Sequence, residues 1–459
     1  MGKTIIAENE IEESVLKFID KKSFQFGLIV GKCSSQKDAA LHLIPTPCEE
    51  GDDGSSENQP SLDGLCDQWV AEHARQVTCM LPGGIGVIGV FYVCAPNQAT
   101  PAATKARQAL FAIHKLLTKR LLLGLDSRQD SLDWSLLQIC STTRKTTCKT
   151  INVLDHKCTS RPADLKYQTN PHKWSTIKST LRLDIGVHLP ATVADCSQYS
   201  KQLTARLSPI TRMIEDAVAL VDGQIRAGSE PLENTATKKK SGKKGSGGSS
   251  EGGIHTVELL TDKNDLSSKS KDVERGTVQA QVYITGTMSA RAFVDPKATI
   301  DEAVQAIKED LLRTVHARFD LLASDLRQSS GDEELKETQI APPAVIATPR
   351  RIYARLRTSP ILVSDYAFAE EETGEIAERM SELLDVEVSE EDLDLDTEAL
   401  PDESLLNPMD DLDEEGEDVR ELNVSTRSGK SLPYMGAAAV GVLGAVVAGA
   451  MSYLAITQD

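Results

Sequence analysis

From Ser431 to Gln458 the chain carries no charged side chain, and this stretch constrains what everything upstream of it can become. Within it Met435 to Ile456 (MGAAAVGVLGAVVAGAMSYLAI) runs for about 22 residues, roughly 33 Å of helix at about 1.5 Å per residue, against a hydrocarbon core of about 30 Å. That length predicts a transmembrane helix; the globular alternative would have to surround an all-apolar helix of Gly, Ala and Val. Thr457, Gln458 and Asp459 follow, which predicts a tail anchor inserted after synthesis. Arg427 and Lys430 flank it on one side and Asp459 on the other, so the positive-inside bias leaves the body in the cytosol. Tyr434 and Tyr453 stand near its ends as interfacial anchors do. Met435, Gly436, Gly444 and Ile456 belong to the span, while Ala437, Gly441, Ala445 and Gly449 recur at every fourth position, a smooth face that permits close helix packing in lipid.

The remaining length suffices for two or three modest domains. A net charge of -19 argues against nucleic acid, whose phosphates reward clustered Lys and Arg. Most of that excess lies in Glu370 to Asp418, where Arg379 stands alone among the acids. Nine cysteines fall between Cys33 and Cys196 with no C-x-x-C pair, which favours core thiols in a reducing compartment over a disulfide framework or a zinc ribbon. The start, MGKTIIAENE, lacks the apolar run of a signal peptide.

Ile11, Val15, Leu16, Phe18 and Ile19 fall at helical spacing, and Phe24 to Gly31 reads as a buried strand with a hairpin partner at Ala39 to Ile44. Pro45 to Pro60 predicts an exposed loop and Leu65 to Met80 a helix capped by Asp63 or Asp67. Ile85 to Cys94 (IGVIGVFYVC) is continuously apolar and rich in β-branched residues, the mark of a central strand covered on both faces. A helix over Ala103 to Leu123 follows, then a hairpin over Trp134 to Ser141 and Thr146 to Leu154 and a loop over Arg161 to Gln168. A strand over Ser179 to Leu189 and a helix over Leu203 to Val221 complete an α+β domain expected over 1–227.

The stretch 228–253, with KKKSGKKGSGGSSEGG, predicts a flexible linker. A second α+β block, packing on the first, is expected over 254–384. It has strands at Val278 to Ile284, Ser289 to Val294, Arg351 to Leu356 and Ile361 to Tyr366, with helices at Ile300 to Leu326 and Glu370 to Leu384. From 385 to 430 acidic residues alternate with lone Val and Leu, which predicts a disordered acidic segment leading to the anchor at 431–459.

No catalytic, cofactor-binding or metal-ligating residue is assigned. The eight histidines make no H-x-H or H-E-x-x-H spacing. His73 and His114 read as helix-surface residues, and Cys94, ending a buried strand, as an inert packing thiol. Gly83-Gly84-x-Gly86 precedes a strand rather than opening a helix after one, so it predicts a tight turn and not a phosphate-binding loop.

Three motifs together carry a resemblance. Ser34, Ser35, Gln36, Lys37 and Asp38 (SSQKD), then MLPGGIGVIGVF with Pro82, Gly83 and Gly84, then RPADLKYQ with Arg161, Pro162, Asp164 and Tyr167 make the chain resemble the Odr-four family, the homologues of odorant-response-abnormal protein four. Leu165 departs from the Trp expected there. The resemblance implies a tail-anchored, non-catalytic protein of the endoplasmic reticulum membrane. Such a protein pairs with the ubiquitin-fold-modifier-specific protease, holds it at that membrane, and supports maturation and trafficking of seven-helix odorant receptors. The element order also looks like the MPN fold of the JAB metalloprotease superfamily, with Val93-Cys94-Ala95-Pro96 where active members carry a zinc-binding H-x-H. Without imidazole ligands nothing lowers the pKa of a zinc-bound water, so a pseudoenzyme that meets the protease through MPN-like surfaces is expected. Two alternatives stay open: a membrane chaperone gripping receptor helices through its own anchor, and a cryptic JAB-type metallopeptidase.

Overall fold

The apolar run ending at Cys94 is buried on both faces and forms the middle strand of a closed barrel. The computed structural model describes residues 3–21, 23–34, 37–48, 61–120, 122–123, 132–169, 173–190, 196–233, 252–261, 278–328, 344–356 and 361–398. The barrel takes β1 (Thr4–Glu8), β2 (Gln25–Lys32), β3 (Lys37–Pro45), β4 (Gly86–Cys94), β5 (Asp133–Cys140), β6 (Thr146–Asn152) and β7 (Arg161–Gln168), in the order β1-β3-β2-β4-β5-β6-β7. β1 closes it by pairing in parallel with both β3 and β7. The expected loop over RPADLKYQ is thus a strand: Ala163, Leu165 and Tyr167 alternate along it and pack, half-buried, on the barrel interior, while the ladders to β1 and β6 fix its form.

Helix α1 (Asn9–Asp20) seals the barrel interior, its Ile11, Val15, Phe18 and Ile19 packing with Ile29, Leu43, Ile88 and Phe91. Phe18 stacks on Phe91 at 5.2 Å between ring centroids. Leu16, part of the expected stripe, points to the other side and is half exposed. Helices α2 (Asp67–Met80) and α3 (Ala99–Lys119) cover the outside of β4. The N-cap of α2 is Cys66, with no side-chain capping bond, so neither Asp63 nor Asp67 caps it.

A second sheet runs β12-β11-β8-β10-β9, from β8 (Ser175–Pro190), β9 (Val218–Val221), β10 (Ile254–Leu260), β11 (Val278–Val294) and β12 (Ala344–Ala347). Helices α4 (Cys196–Asp216) and α5 (Ile300–Gln328) cover one face, with Ile210 and Ile214 meeting the core built on Ile307, Leu311 and Val315. The stretch 228–253, expected to separate two folded parts, has strands of this one sheet on both sides. Its ends are fastened together: Glu233 Oε1 accepts the Gly253 N–H at 2.9 Å and the Ser175 hydroxyl at 2.8 Å. Two strands expected between Val278 and Val294 are one strand of 17 residues. Gly286 lies within it, paired with Leu183, where a Cβ would come 2.2 Å from the Thr348 hydroxyl.

A third, smaller sheet, β14-β13-β15, combines β13 (Arg350–Arg355), β14 (Leu362–Ala367) and β15 (Leu393–Asp394), with α6 (Thr373–Leu384) beside it. The acidic segment expected to stay outside any core from residue 385 enters the body as far as Glu398, which is 2% exposed. Composition argued against a core there; the buried Arg318 supplies the counter-charge for Glu398, and Arg291 pairs with Asp394 at 3.2 Å. The architecture is mixed α+β. Among the described residues no helix is long and apolar enough to cross a membrane, and the expected anchor residues 435–456 lie outside the described residues.

Candidate functional site

The Pro82-Gly83-Gly84 motif joins the barrel to the second sheet. Gly83 donates its N–H to the Arg291 carbonyl at 3.0 Å and accepts the Phe293 N–H at 2.9 Å. A Cβ on Gly83 would lie 2.0 Å from the Ala306 carbonyl oxygen, so only glycine lets α5 come this close. Gly84 takes a φ of 77°, the left-handed turn that leads into β4. The expected tight turn accounts for Gly84 and not for Gly83. From α5, the buried Arg313 donates to the carbonyls of Pro82 at 3.2 Å, Ile85 at 2.7 Å and Leu122 at 3.2 Å.

Beside this motif lie two charge pairs almost wholly out of water. Arg351 meets Asp310 through two N–H···O contacts of 2.6 and 3.1 Å, and Asp310 also accepts the Arg291 N–H at 2.8 Å. Arg318 grips both oxygens of Glu398 at 2.7 and 2.6 Å. Glu398 further accepts the backbone N–H groups of Ser289 and Arg351. One carboxylate thereby ties β11, α5 and β13 together. Such a fully paired cluster favours one arrangement of the three sheets.

The other two motifs meet at the seam of the barrel. Asp38 is fully buried, accepts the Ser34 N–H at 2.8 Å and faces the Lys3 ammonium at 2.9 Å. Burial raises its pKa while Lys3 opposes the rise. Lys3 also donates to the Asp133 carbonyl at 2.9 Å, its own carbonyl accepts the Asp164 N–H at 3.1 Å, and Arg161 pairs with the Asp133 carboxylate at 2.7 Å. Lys3 is thus the link between SSQKD and RPADLKYQ that sequence spacing does not reveal. Pro162 pairs with Lys149, Tyr167 with Ala7, and Leu165 with Ile5 along β7. Lys37 opens β3 exposed, and Ser35 and Gln36 lie outside the described residues.

Two histidines and two cysteines inside the body are shifted toward their neutral forms. His73, expected on a helix surface, is buried: its Nε2 donates to the Leu383 carbonyl at 3.0 Å, and desolvation takes its pKa down to about 4. His42 donates likewise to the Leu384 carbonyl at 3.2 Å and is also lowered by burial. Burial pushes the Cys33 and Cys148 thiols up to about 12. Among the described residues no three His, Cys, Asp or Glu side chains come together as metal ligands.

The surface offers a different feature. β10 alternates, with Val257 buried under the helices and Ile254, Thr256, Glu258 and Leu260 facing out. Leu260 pairs with Val218 and Glu258 with Leu220 on β9. Ile254 is 69% exposed and Val218 and Leu260 are each 53% exposed; among the described residues Val218 and Leu260 form an exposed apolar pair at the edge of the sheet, with Glu258 and Thr256 between it and Ile254. Ile225, just past β9, is exposed as well. The alternation in IHTVELL was the available signal for β10, short and adjoining a Gly- and Lys-rich stretch.

A sequence profile of the Odorant response abnormal 4-like family matches residues 27–395, from the barrel through all three sheets. The chain belongs to this Odr-4 family. The protein odr-4 homolog of Gallus gallus is 32% identical over 404 residues, covering 86% of each chain, and that of Homo sapiens is 31% identical over the same length and coverage. Odorant response abnormal protein 4 of Caenorhabditis elegans is 23% identical over 335 residues, 72% of this chain and 66% of that protein. A crystal structure of UfSP from C. elegans is similar at a TM-score of 0.40 and 6% identity, over 84% of this chain and 57% of that one, a likeness too loose to establish a shared fold. In this Odr-4 family protein the matched span holds the Gly83 junction and the outer sheet face, begins after Lys3 and β1 of the seam, and ends just short of Glu398.

Proposed function

We propose that this Odr-4 family protein is a non-catalytic membrane adaptor. Its body binds the ubiquitin-fold-modifier-specific protease, its C-terminal segment holds the pair at the endoplasmic reticulum membrane, and the assembly supports maturation and trafficking of seven-helix receptors. The observation that carries this reading is the exposure of Val218, Leu260 and Ile254 on one outer face of β9 and β10. Exposed apolar side chains on a sheet face with polar ones between them suit a protein partner. The MPN-like kinship expected from element order belongs to the same proposal, with Val93-Cys94-Ala95-Pro96 standing where active members carry H-x-H. Tethering both proteins to one membrane raises their effective concentration and strengthens a weak contact without adding new ones.

Deleting Leu432 to Asp459 is expected to leave capture of purified protease intact and to release both proteins from membranes on fractionation. A truncated chain that still sediments with membranes overturns the anchor. In the second reading, receptor helices pack on Ala437, Gly441, Ala445 and Gly449. Replacing the span with poly-Leu favours that reading if receptor delivery fails while the protease stays membrane-bound.

A further inference from the structure

β4 and β5 run parallel, and the last register pair of their ladder is Cys94 with Cys140. Two positions earlier Tyr92 stands opposite Gln138, and the Tyr92 hydroxyl donates to Gln138 Oε1 at 3.1 Å, so these side chains share one face of the sheet. Strand alternation puts Cys94 and Cys140 on that face too. Neighbouring strands lie about 5 Å apart, within the Cα separation of roughly 4.4–6.8 Å that a disulfide spans.

The two thiols have opposite surroundings. Cys94 is 2% exposed in the core, and burial holds its thiol above the ordinary range. Cys140 sits where β5 gives way to a turn, and its sulfur accepts the Thr143 N–H at 3.4 Å. Hydrogen bonds from the Thr143 side chain and backbone hold it below the ordinary range. The turn is itself anchored, because Ser141 donates its N–H to the Cys94 carbonyl at 3.0 Å and Arg144 to the Cys140 carbonyl at 2.9 Å. An accessible sulfur bonded by amide groups therefore stands in register with a shielded one.

We propose that Cys140 and Cys94 form an oxidant-responsive dithiol, with a hydroperoxide as its reactant. The Cys140 thiolate attacks one peroxide oxygen; the S–O bond forms, the O–O bond breaks, and the departing oxygen takes a proton to leave as water or alcohol. Cys140 is then a sulfenic acid, oxidised by two electrons as the peroxide is reduced by two. The Cys94 sulfur displaces the hydroxyl, its proton leaving with that group as water, and the S–S bond staples β4 to β5.

The full-length chain in detergent, treated with one equivalent of hydrogen peroxide and mapped by mass spectrometry, tests this. Before oxidation Cys140 is expected to alkylate about tenfold faster than Cys33, Cys79 or Cys148. After oxidation the peptides carrying Cys94 and Cys140 are expected to appear joined, with the loss of two hydrogens, about 2 Da. In Cys94→Ala the Cys140 sulfenic acid should persist and be trapped by dimedone. Equal alkylation rates, or passage of Cys140 to sulfinic acid in the unaltered chain while Cys94 stays free, would overturn the proposal even where Cys94→Ala does not fold.

Discussion

The junction at Gly83 and the outer face of the second sheet depart from ordinary burial in opposite directions. At the junction Asp310, Arg318, Arg351 and Glu398 are charged groups removed from water; on the sheet Val218, Ile254 and Leu260 are apolar groups left in it. Every charge at the junction ends on an opposite charge, and both carboxylates accept backbone N–H groups as well, so that region is complete within the chain. The sheet face has no such closure. One departure from the usual pattern fixes how the sheets sit together, while the other leaves a surface for something else to cover.

The largest effect should come from opening the junction. Arg351→Ala leaves Asp310 buried without its counter-charge and is expected to cost about 3–5 kcal/mol in urea unfolding. A loss under about 1 kcal/mol would make the junction as dispensable as a surface salt bridge. Gly83→Ala forces a methyl against the Ala306 carbonyl and is expected to cost about 1–3 kcal/mol by the same measurement.

Acid should weaken the contact between α2 and α6, where His73 donates to the Leu383 carbonyl. The folded pKa of His73, about 4, lies below its unfolded value of about 6.5, so the folded chain binds fewer protons in that window. Its contribution is present above pH 6.5 and lost as pH falls toward 4, on the order of 1–3 kcal/mol. Thermal unfolding of His73→Gln across that range should show a flatter profile; an unchanged slope would remove His73 as the cause. Smallest in stability, and sharpest for the comparison, is the combined Val218→Asp, Ile254→Asp and Leu260→Asp variant. It is expected to unfold within about 0.5 kcal/mol of the unaltered chain while losing capture of purified protease. Capture that survives would move the docking surface elsewhere.

Much of the barrel was legible because its strands announce themselves locally. Phe24 to Gly31, Ile85 to Cys94 and the hairpin around Thr142 to Lys145 combine apolar or β-branched runs with turn residues, and the long stripe from Ile300 predicts α5 closely. What stayed hidden depends on partners distant in sequence. β7 alternates only Ala163, Leu165 and Tyr167 among Pro and charged residues, a short signal, and it is held as a strand by β1, itself only five residues long. Gly83 looked like turn chemistry because the α5 backbone that crowds it lies over two hundred positions away. Glu398 was lost in an acidic stretch, since nothing in composition distinguishes the one carboxylate that meets Arg318. The motifs did not reveal that Lys3 joins two of them.

The closure of the barrel by β1 has a consequence for vectorial synthesis. β1 leaves the ribosome well before β7, its second neighbour, which ends at Gln168. At about 5–20 residues per second the intervening chain takes on the order of ten to thirty seconds to emerge. Throughout that interval the nascent protein exposes an unpaired strand edge, a period in which a ribosome-associated chaperone has something definite to shield.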